Sequence, residues 1–279
     1  MLCIASIEDR SIGRRNDYER NNEARHLKDK VTFVYGDRDE FMEYAKLLRY
    51  TSDKLGITEG GKKKWDLVVD FCAYNRRHMK SIVRGLSNRT KLYIYISTDS
   101  VYEACQKEIR SGLIVETDSV RPEKNEDIEK LAALDLYGHN KLRCEEYLAT
   151  HVKNTNALPY VSFRLPDVIG PYDNTNRYWP YLMWLQTMEK YPIHTQDQSK
   201  TKKLSFVFSE DVAGFTVSLI PRLEGPEGES FIRSIHGHSF NMACPEAATL
   251  NELLQKMVDI WLFLGDLDRN QEGSCASRT

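Results

Sequence analysis

The stretch "LYGHNKLRCEEYL" places a tyrosine, Tyr137, four residues before a lysine, Lys141. On a helix that spacing brings both side chains to one face. A phenol with a pKa of about 10 is a poor base at neutral pH, and a neighbouring ammonium favours its phenolate. Such a pair can carry a proton to or from a substrate hydroxyl. Spacing alone does not decide the matter, because Tyr50 and Lys54 in "YTSDK" repeat it. What separates the two pairs is what lies upstream. Thr98 and Asp99 close an apolar run ahead of Tyr137, whereas no polar strand end precedes Tyr50, which is expected on a helix surface.

The elements that must position these residues alternate along the chain. "VTFVYG" (31–36) reads as a buried strand, and "FMEYAKLLRYTSDKLG" (41–56) as a helix closed by Gly56. "DLVVDFCAY" (66–74) and "KLYIYIS" (91–97) read as further strands with a helix near 75–87 between them. A polar excursion from about 103 to 127 precedes the helix of the Tyr137 stretch. "PYVSFRLPDVIGP" (159–171) reads as a fourth strand, and "LSFVFSEDVAGFTVSLI" (204–220) as a strand leading into a helix. Near-continuous apolar strands alternating with helices predict an α/β fold with a mostly parallel sheet covered on both faces. Ligands of such sheets bind outside the carboxyl ends of the strands. Asp37 and Arg38, Cys72 to Tyr74, and Ser97 to Asp99 all fall at such ends.

Composition narrows the function classes. Hydrophobic residues make up 41% of the 279 and charged residues 29%, with net charge −2, a balance that asks for neither nucleic acid nor a membrane surface. No apolar run approaches the roughly 20 residues of a spanning helix. The six cysteines are scattered, which argues against a zinc site or a disulfide framework and for a reducing, cytoplasmic compartment. His236 and His238 lack a third ligand at useful spacing, so they are read as loop residues and no metal is expected. "GKKKW" is read as a solvated turn. Trp179 and Trp184 are expected in the core of a small substrate lobe.

In this order, "YIYISTDSVYE", "YGHNK", "SFRLPDVIGP" and "FVFSEDVAGF" resemble the extended short-chain dehydrogenase/reductase family of NAD(P)-dependent sugar-nucleotide epimerases, dehydratases and reductases. The resemblance runs from about residue 31 to 260. It implies a Rossmann-like, doubly wound core over 1–170. The remaining core elements and a small substrate lobe would occupy 171–265, followed by a disordered tail over 266–279. It also implies a catalytic set of Thr98, Tyr137 and Lys141, with Asp99 where dehydratases carry an acid. Ser100 stands where those dehydratases carry a glutamate. The cofactor, NAD or NADP, would meet Asp37 and Arg38 in "YGDRDEF", Phe71, Cys72 and Ala73 in "DFCAY", Leu165 and Pro166 in "RLPDVIGP", and the Tyr137–Lys141 pair itself. The substrate would be a nucleotide sugar or a similar hydroxyl/carbonyl compound, and the assembly a homodimer.

One departure is large. The family opens with a glycine-rich turn that holds the pyrophosphate at a helix terminus. Here Gly13 is the one glycine before Gly36. "MLCIASIEDR" falls where the second strand belongs, so the core is read as truncated, lacking its first strand and glycine turn. Weak or absent cofactor binding follows. Two other readings are a non-catalytic relative and an RNA-binding or scaffold relative on the same fold.

Overall fold

The computed structural model of the protein describes residues 2–4, 34, 36–106, 113–153, 157–171, 173, 175, 177–187, 190–191 and 194–261. Its elements in chain order begin with β1 (Leu2–Ile4), α1 (Phe41–Lys54), β2 (Trp65–Asp70), α2 (Arg76–Leu86), β3 (Thr90–Thr98), α3 (Asn125–Leu134), α4 (Leu136–His151) and β4 (Tyr160–Leu165). There follow β5 (Asp167–Ile169), α5 (Trp179–Thr187), β6 (Lys203–Leu204), β7 (Phe206–Phe208), α6 (Ser209–Ser218), α7 (Gly228–Ile235), β8 (His238–Asn241) and β9 (Ala248–Thr249). The chain divides into two compact units, one of residues 1–164 with 217–241, the other of 165–216 with 242–279.

The first unit is built on one sheet of order β1-β2-β3-β4-β8. β1 runs parallel to β2, β2 to β3, and β4 to β8. This is the α/β parallel architecture that the apolar runs predict. β3 is buried along almost its whole length, as β-branched and aromatic side chains suit a strand covered on both faces. α1 packs on α2, α2 on α4, and α4 lies against β3, so these helices form one continuous layer. Val68, Met79, Ile82, Tyr93, Tyr95 and Leu148 fill the space between that layer and the sheet.

Local chemistry sets the element ends. Gly56 follows α1 with φ +73°, a left-handed turn that suits glycine. Asn75 caps α2 by accepting from the His78 amide at 3.0 Å, and Asp135 caps α4 by accepting from the Gly138 amide at 2.9 Å.

Several expectations need correction. The strand read at 31–36 lies largely outside the described residues, and Val34 and Gly36 adopt no strand. Of the stretch read as the second strand, Leu2–Ile4 is a strand that pairs in parallel with β2. The single strand read at 159–171 is two, β4 and β5, in different sheets. Pro166 separates them, having no amide hydrogen to continue a ladder. His238 opens β8 and is not in a loop; β8 alternates in burial at the sheet's edge, too short and polar to stand out in sequence. The tail read at 266–279 lies outside the described residues.

The second unit holds β5 paired in parallel with β7, and β6 antiparallel with β9. On α5 Leu185 is the buried side chain, while Trp179 and Trp184 are 58% and 46% exposed, not core as expected. Nine apolar-rich residues with no polar face leave the helical period unable to say which side turns inward.

Candidate active site

Thr98 is the last residue of β3 and is buried, with its hydroxyl accepting from the Ser100 amide at 3.2 Å. It thereby caps the 3-10 turn Asp99–Ala104. Asp99 is exposed beside it, and the Thr98 hydroxyl lies 3.3 Å from an Asp99 carboxylate oxygen. α4 is laid directly on this turn. Gly138 marks the contact: a Cβ there would overlap the Ser100 carbonyl oxygen and the Asp135 carboxylate. The residue after Tyr137 must therefore be glycine for the helix to come this close to the turn that follows β3.

Lys141 enters from the same helix and is 1% exposed, among the most deeply buried side chains of the unit. Its ammonium donates to the Ile96 carbonyl at 2.7 Å, two residues before Thr98. The nitrogen stands 4.8 Å from the centre of the Tyr95 ring, 5.2 Å from that of Tyr74 and 6.0 Å from that of Tyr137. All lie within the range of cation–π attraction. Burial pulls the Lys141 pKa down to about 8, opposed chiefly by the Asp70 carboxylate. Tyr137 itself is 48% exposed. A buried cation tied to the strand two residues short of Thr98, with the half-exposed Tyr137 ring 6.0 Å away, has the parts of a proton-transfer site.

The end of β2 is organised differently from the sequence expectation. Arg38 is buried and its guanidinium grips both oxygens of Asp70, at 2.7 and 2.5 Å. It also reaches the Cys72 sulfur at 2.7 Å, while the Tyr93 hydroxyl donates to Asp70 at 2.7 Å. Burial would raise the Asp70 pKa, but the Arg38 charge and hydrogen bonds hold it below the usual carboxylate range. Burial likewise disfavours the Arg38 charge, and Asp70 more than offsets this. Arg38 is thus turned inward to a carboxylate. Asp37 is exposed and accepts from the Asp39 amide at 2.9 Å. Phe71 is 45% exposed, Cys72 and Ala73 are buried, and the Ala73 carbonyl accepts from the Tyr95 hydroxyl at 2.9 Å. Leu165 ends β4, and with the buried Pro166 it is counted with the second unit.

A second buried network lies under α4. Glu145 accepts from Ser97 at 2.5 Å and pairs with Arg164 at 2.6 Å; Arg164 also donates to the Tyr102 hydroxyl at 2.8 Å and the Ser119 hydroxyl at 2.9 Å. Sequence reading missed Asp70, Tyr95, Glu145 and Arg164, and placed Tyr74 at a strand end without giving it a role. Signals existed: Asp70 and Arg164 are charges inside apolar runs, which need a partner when buried, and Glu145 follows Lys141 by one helical turn. The Tyr50–Lys54 pair lies where expected, on the outer surface of α1, with the Lys54 ammonium over the Tyr50 ring at 4.6 Å. Among the described residues no group of His, Cys, Asp and Glu could hold a metal, and no helix is long and apolar enough to cross a membrane.

Residues 8–232 match the profile of the NAD dependent epimerase/dehydratase family. Three solved structures share the fold. A dTDP-glucose 4,6-dehydratase from Bacillus anthracis str. Ames in complex with NAD superposes with a TM-score of 0.56 at 14% identity, over 86% of this chain and 68% of that one. A UDP-N-acetylglucosamine 4-epimerase from Methanobrevibacter ruminantium M1, in complex with UDP-N-acetylmuramic acid, gives 0.55 at 17%, over 88% and 70%. The DesIV double mutant, a dTDP-glucose 4,6-dehydratase from Streptomyces venezuelae with NAD and DAU bound, gives 0.54 at 15%, over 84% and 65%. No curated protein matches the chain.

Proposed function

The chain belongs to the NAD dependent epimerase/dehydratase family, and from that membership we propose that it acts on a hydroxyl or carbonyl of a nucleotide sugar, with Tyr137 as proton carrier. The observation that carries this reading is Lys141, buried beneath the Tyr137 ring and donating to Ile96 at the end of the strand that bears Thr98. In this reading the Tyr137 phenolate takes the proton of a substrate hydroxyl, becoming the phenol, and later gives it back. The ammonium of Lys141 lowers the cost of the phenolate, and the Thr98 hydroxyl holds the substrate oxygen. Asp99, exposed beside Thr98, would share a proton with the same oxygen. Bound NAD(P) would supply the hydride acceptor.

The chain's residues fit that cofactor at one end only. Thr98, Tyr137 and Lys141 offer the hydroxyl, phenol and ammonium that suit the nicotinamide ribose. At the pyrophosphate end the sequence carries no glycine turn, and Arg38, expected to meet the cofactor, is taken by Asp70. We therefore keep cofactor binding weak in this chain. The same feature favours a second reading, a relative that keeps the fold without catalysis. A cytoplasmic location and a homodimer are part of the proposal.

The test is conversion of UDP- and dTDP-sugars by the chain with millimolar NAD or NADP, read by chromatography of the sugar together with absorbance of reduced nicotinamide. Turnover that falls by about two to four powers of ten in Tyr137→Phe, and is unchanged in Tyr50→Phe, supports the first reading. Equal losses in the two variants, or no turnover with any sugar, would favour the second.

A further inference from the structure

We propose that Tyr74 is a positioning residue: its ring, together with that of Tyr95, walls the Lys141 ammonium from water and fixes it against β3, so that Tyr74 governs how readily Lys141 holds its proton. Tyr74 stands in the segment after β2 and touches the proton-transfer pair from outside it.

Three observations carry the proposal. The Lys141 nitrogen is 5.2 Å from the Tyr74 ring centre and 4.8 Å from that of Tyr95. Tyr95 is wholly buried whereas Tyr74 is partly exposed, so the Tyr74 ring is the outer of the two walls. Its ring also meets that of Tyr137, with centres 6.4 Å apart and planes tilted by 48°.

The backbone that presents Tyr74 is pinned on both sides. Before it, the Cys72 amide donates to Asp70 at 3.0 Å, and the Ala73 carbonyl accepts from the Tyr95 hydroxyl at 2.9 Å. At Tyr74 the amide donates to His78 Nδ1 at 3.3 Å, and Asn75 caps α2 immediately after. The Arg38–Asp70 pair anchors the start of this strut. A ring carried on so constrained a segment can hold a distance rather than merely fill space.

The charged and titratable groups facing Lys141 are few. Asp70, Cys144 and Cys72 favour its charge and Arg38 opposes it, while Tyr74, Tyr95 and Tyr137 present ring faces. Burial is the largest influence of all. Opening the wall therefore lets water rehydrate the ammonium, and this outweighs the lost ring contact. The Lys141 proton should then be held more tightly, and its influence on Tyr137 should change with it.

The proposal deepens the reading of Lys141 as partner of Tyr137 and rests on it for its consequence, but its test needs neither cofactor nor substrate. The full chain is pulse-labelled with acetic anhydride across neutral to alkaline pH, and Lys141 acetylation is read by mass spectrometry beside the exposed lysines. Tyr74→Leu should raise the Lys141 labelling midpoint by about one pH unit, and Tyr74→Phe, which keeps the ring, should restore the wild-type midpoint. Thermal melts run alongside, and Tyr74→Met replaces the leucine variant if that one melts below the assay temperature. Three results would overturn the proposal: an unmoved midpoint in a folded Leu or Met variant, an equal shift in Tyr74→Phe, or a wild-type midpoint equal to that of the exposed lysines. A failed turnover assay with the expected labelling shift would count against the enzyme reading alone.

Discussion

Lys141 and Ile96 are joined by a hydrogen bond of 2.7 Å from a buried ammonium to a strand carbonyl. It ties the helix of Tyr137 to the strand of Thr98. A cation in that position is held by one carbonyl and aromatic faces, which makes its protonation costly and sensitive to pH.

The sign of that sensitivity follows from burial. Lys141 titrates at about 8 in the folded chain against an ordinary value of 10.5, so between these the unfolded chain binds more protons. Its unfavourable contribution is complete below pH 8, of the order of ~3 kcal/mol, and is relieved as pH rises toward 10.5. Lys141→Met should accordingly gain stability relative to wild type at pH 7, and that gain should shrink on going to pH 10. Urea unfolding of both chains at the two pH values checks this, and a difference independent of pH would contradict it.

Asp70 tests the buried pair at the end of β2. Replacing it by asparagine strands the Arg38 guanidinium, and breaking such a pair costs about 3–5 kcal/mol. The double change Asp70→Leu with Arg38→Met removes both charges and should cost clearly less. Because the folded Asp70 pKa is depressed, its contribution is present above the unfolded carboxylate range and is lost as pH falls through the folded value. The wild-type chain should lose stability on acidification faster than the double variant, as denaturant midpoints would record.

Gly138→Ala forces a methyl into the Ser100 carbonyl oxygen. The overpacking should destabilise the fold by about 1–3 kcal/mol and push α4 away from the Asp99–Ala104 turn. Turnover, where present, should fall with it. A thermal midpoint unchanged from wild type would mean that the turn yields without cost.

Cofactor affinity tests the pyrophosphate end. Each charge-assisted hydrogen bond contributes about 1.5–3 kcal/mol, so two or three fewer weaken binding by about two to six powers of ten. Calorimetric titration with NAD and NADP should detect nothing at micromolar concentrations. A low-micromolar dissociation constant for either would refute this.

By itself the sequence determined the alternation of strands and helices, because apolar period and capping residues act within a few positions of the chain. It also singled out Thr98, Tyr137 and Lys141 as candidates by residue type and order, and it separated Tyr50 and Lys54 from them by what precedes each pair. Tertiary structure alone decided where Arg38 points. The side chain expected to face a cofactor lies 32 positions from Asp70, the carboxylate that captures it, and no local pattern encodes that pairing. The same holds for the aromatic wall around Lys141: Tyr74, Tyr95 and Tyr137 come from a loop, a strand and a helix, and meet only when β2, β3 and α4 pack. The exposure of Trp179 and Trp184 was likewise beyond the sequence, since a helix with no polar face has no preferred inward side until the rest of its unit packs against it.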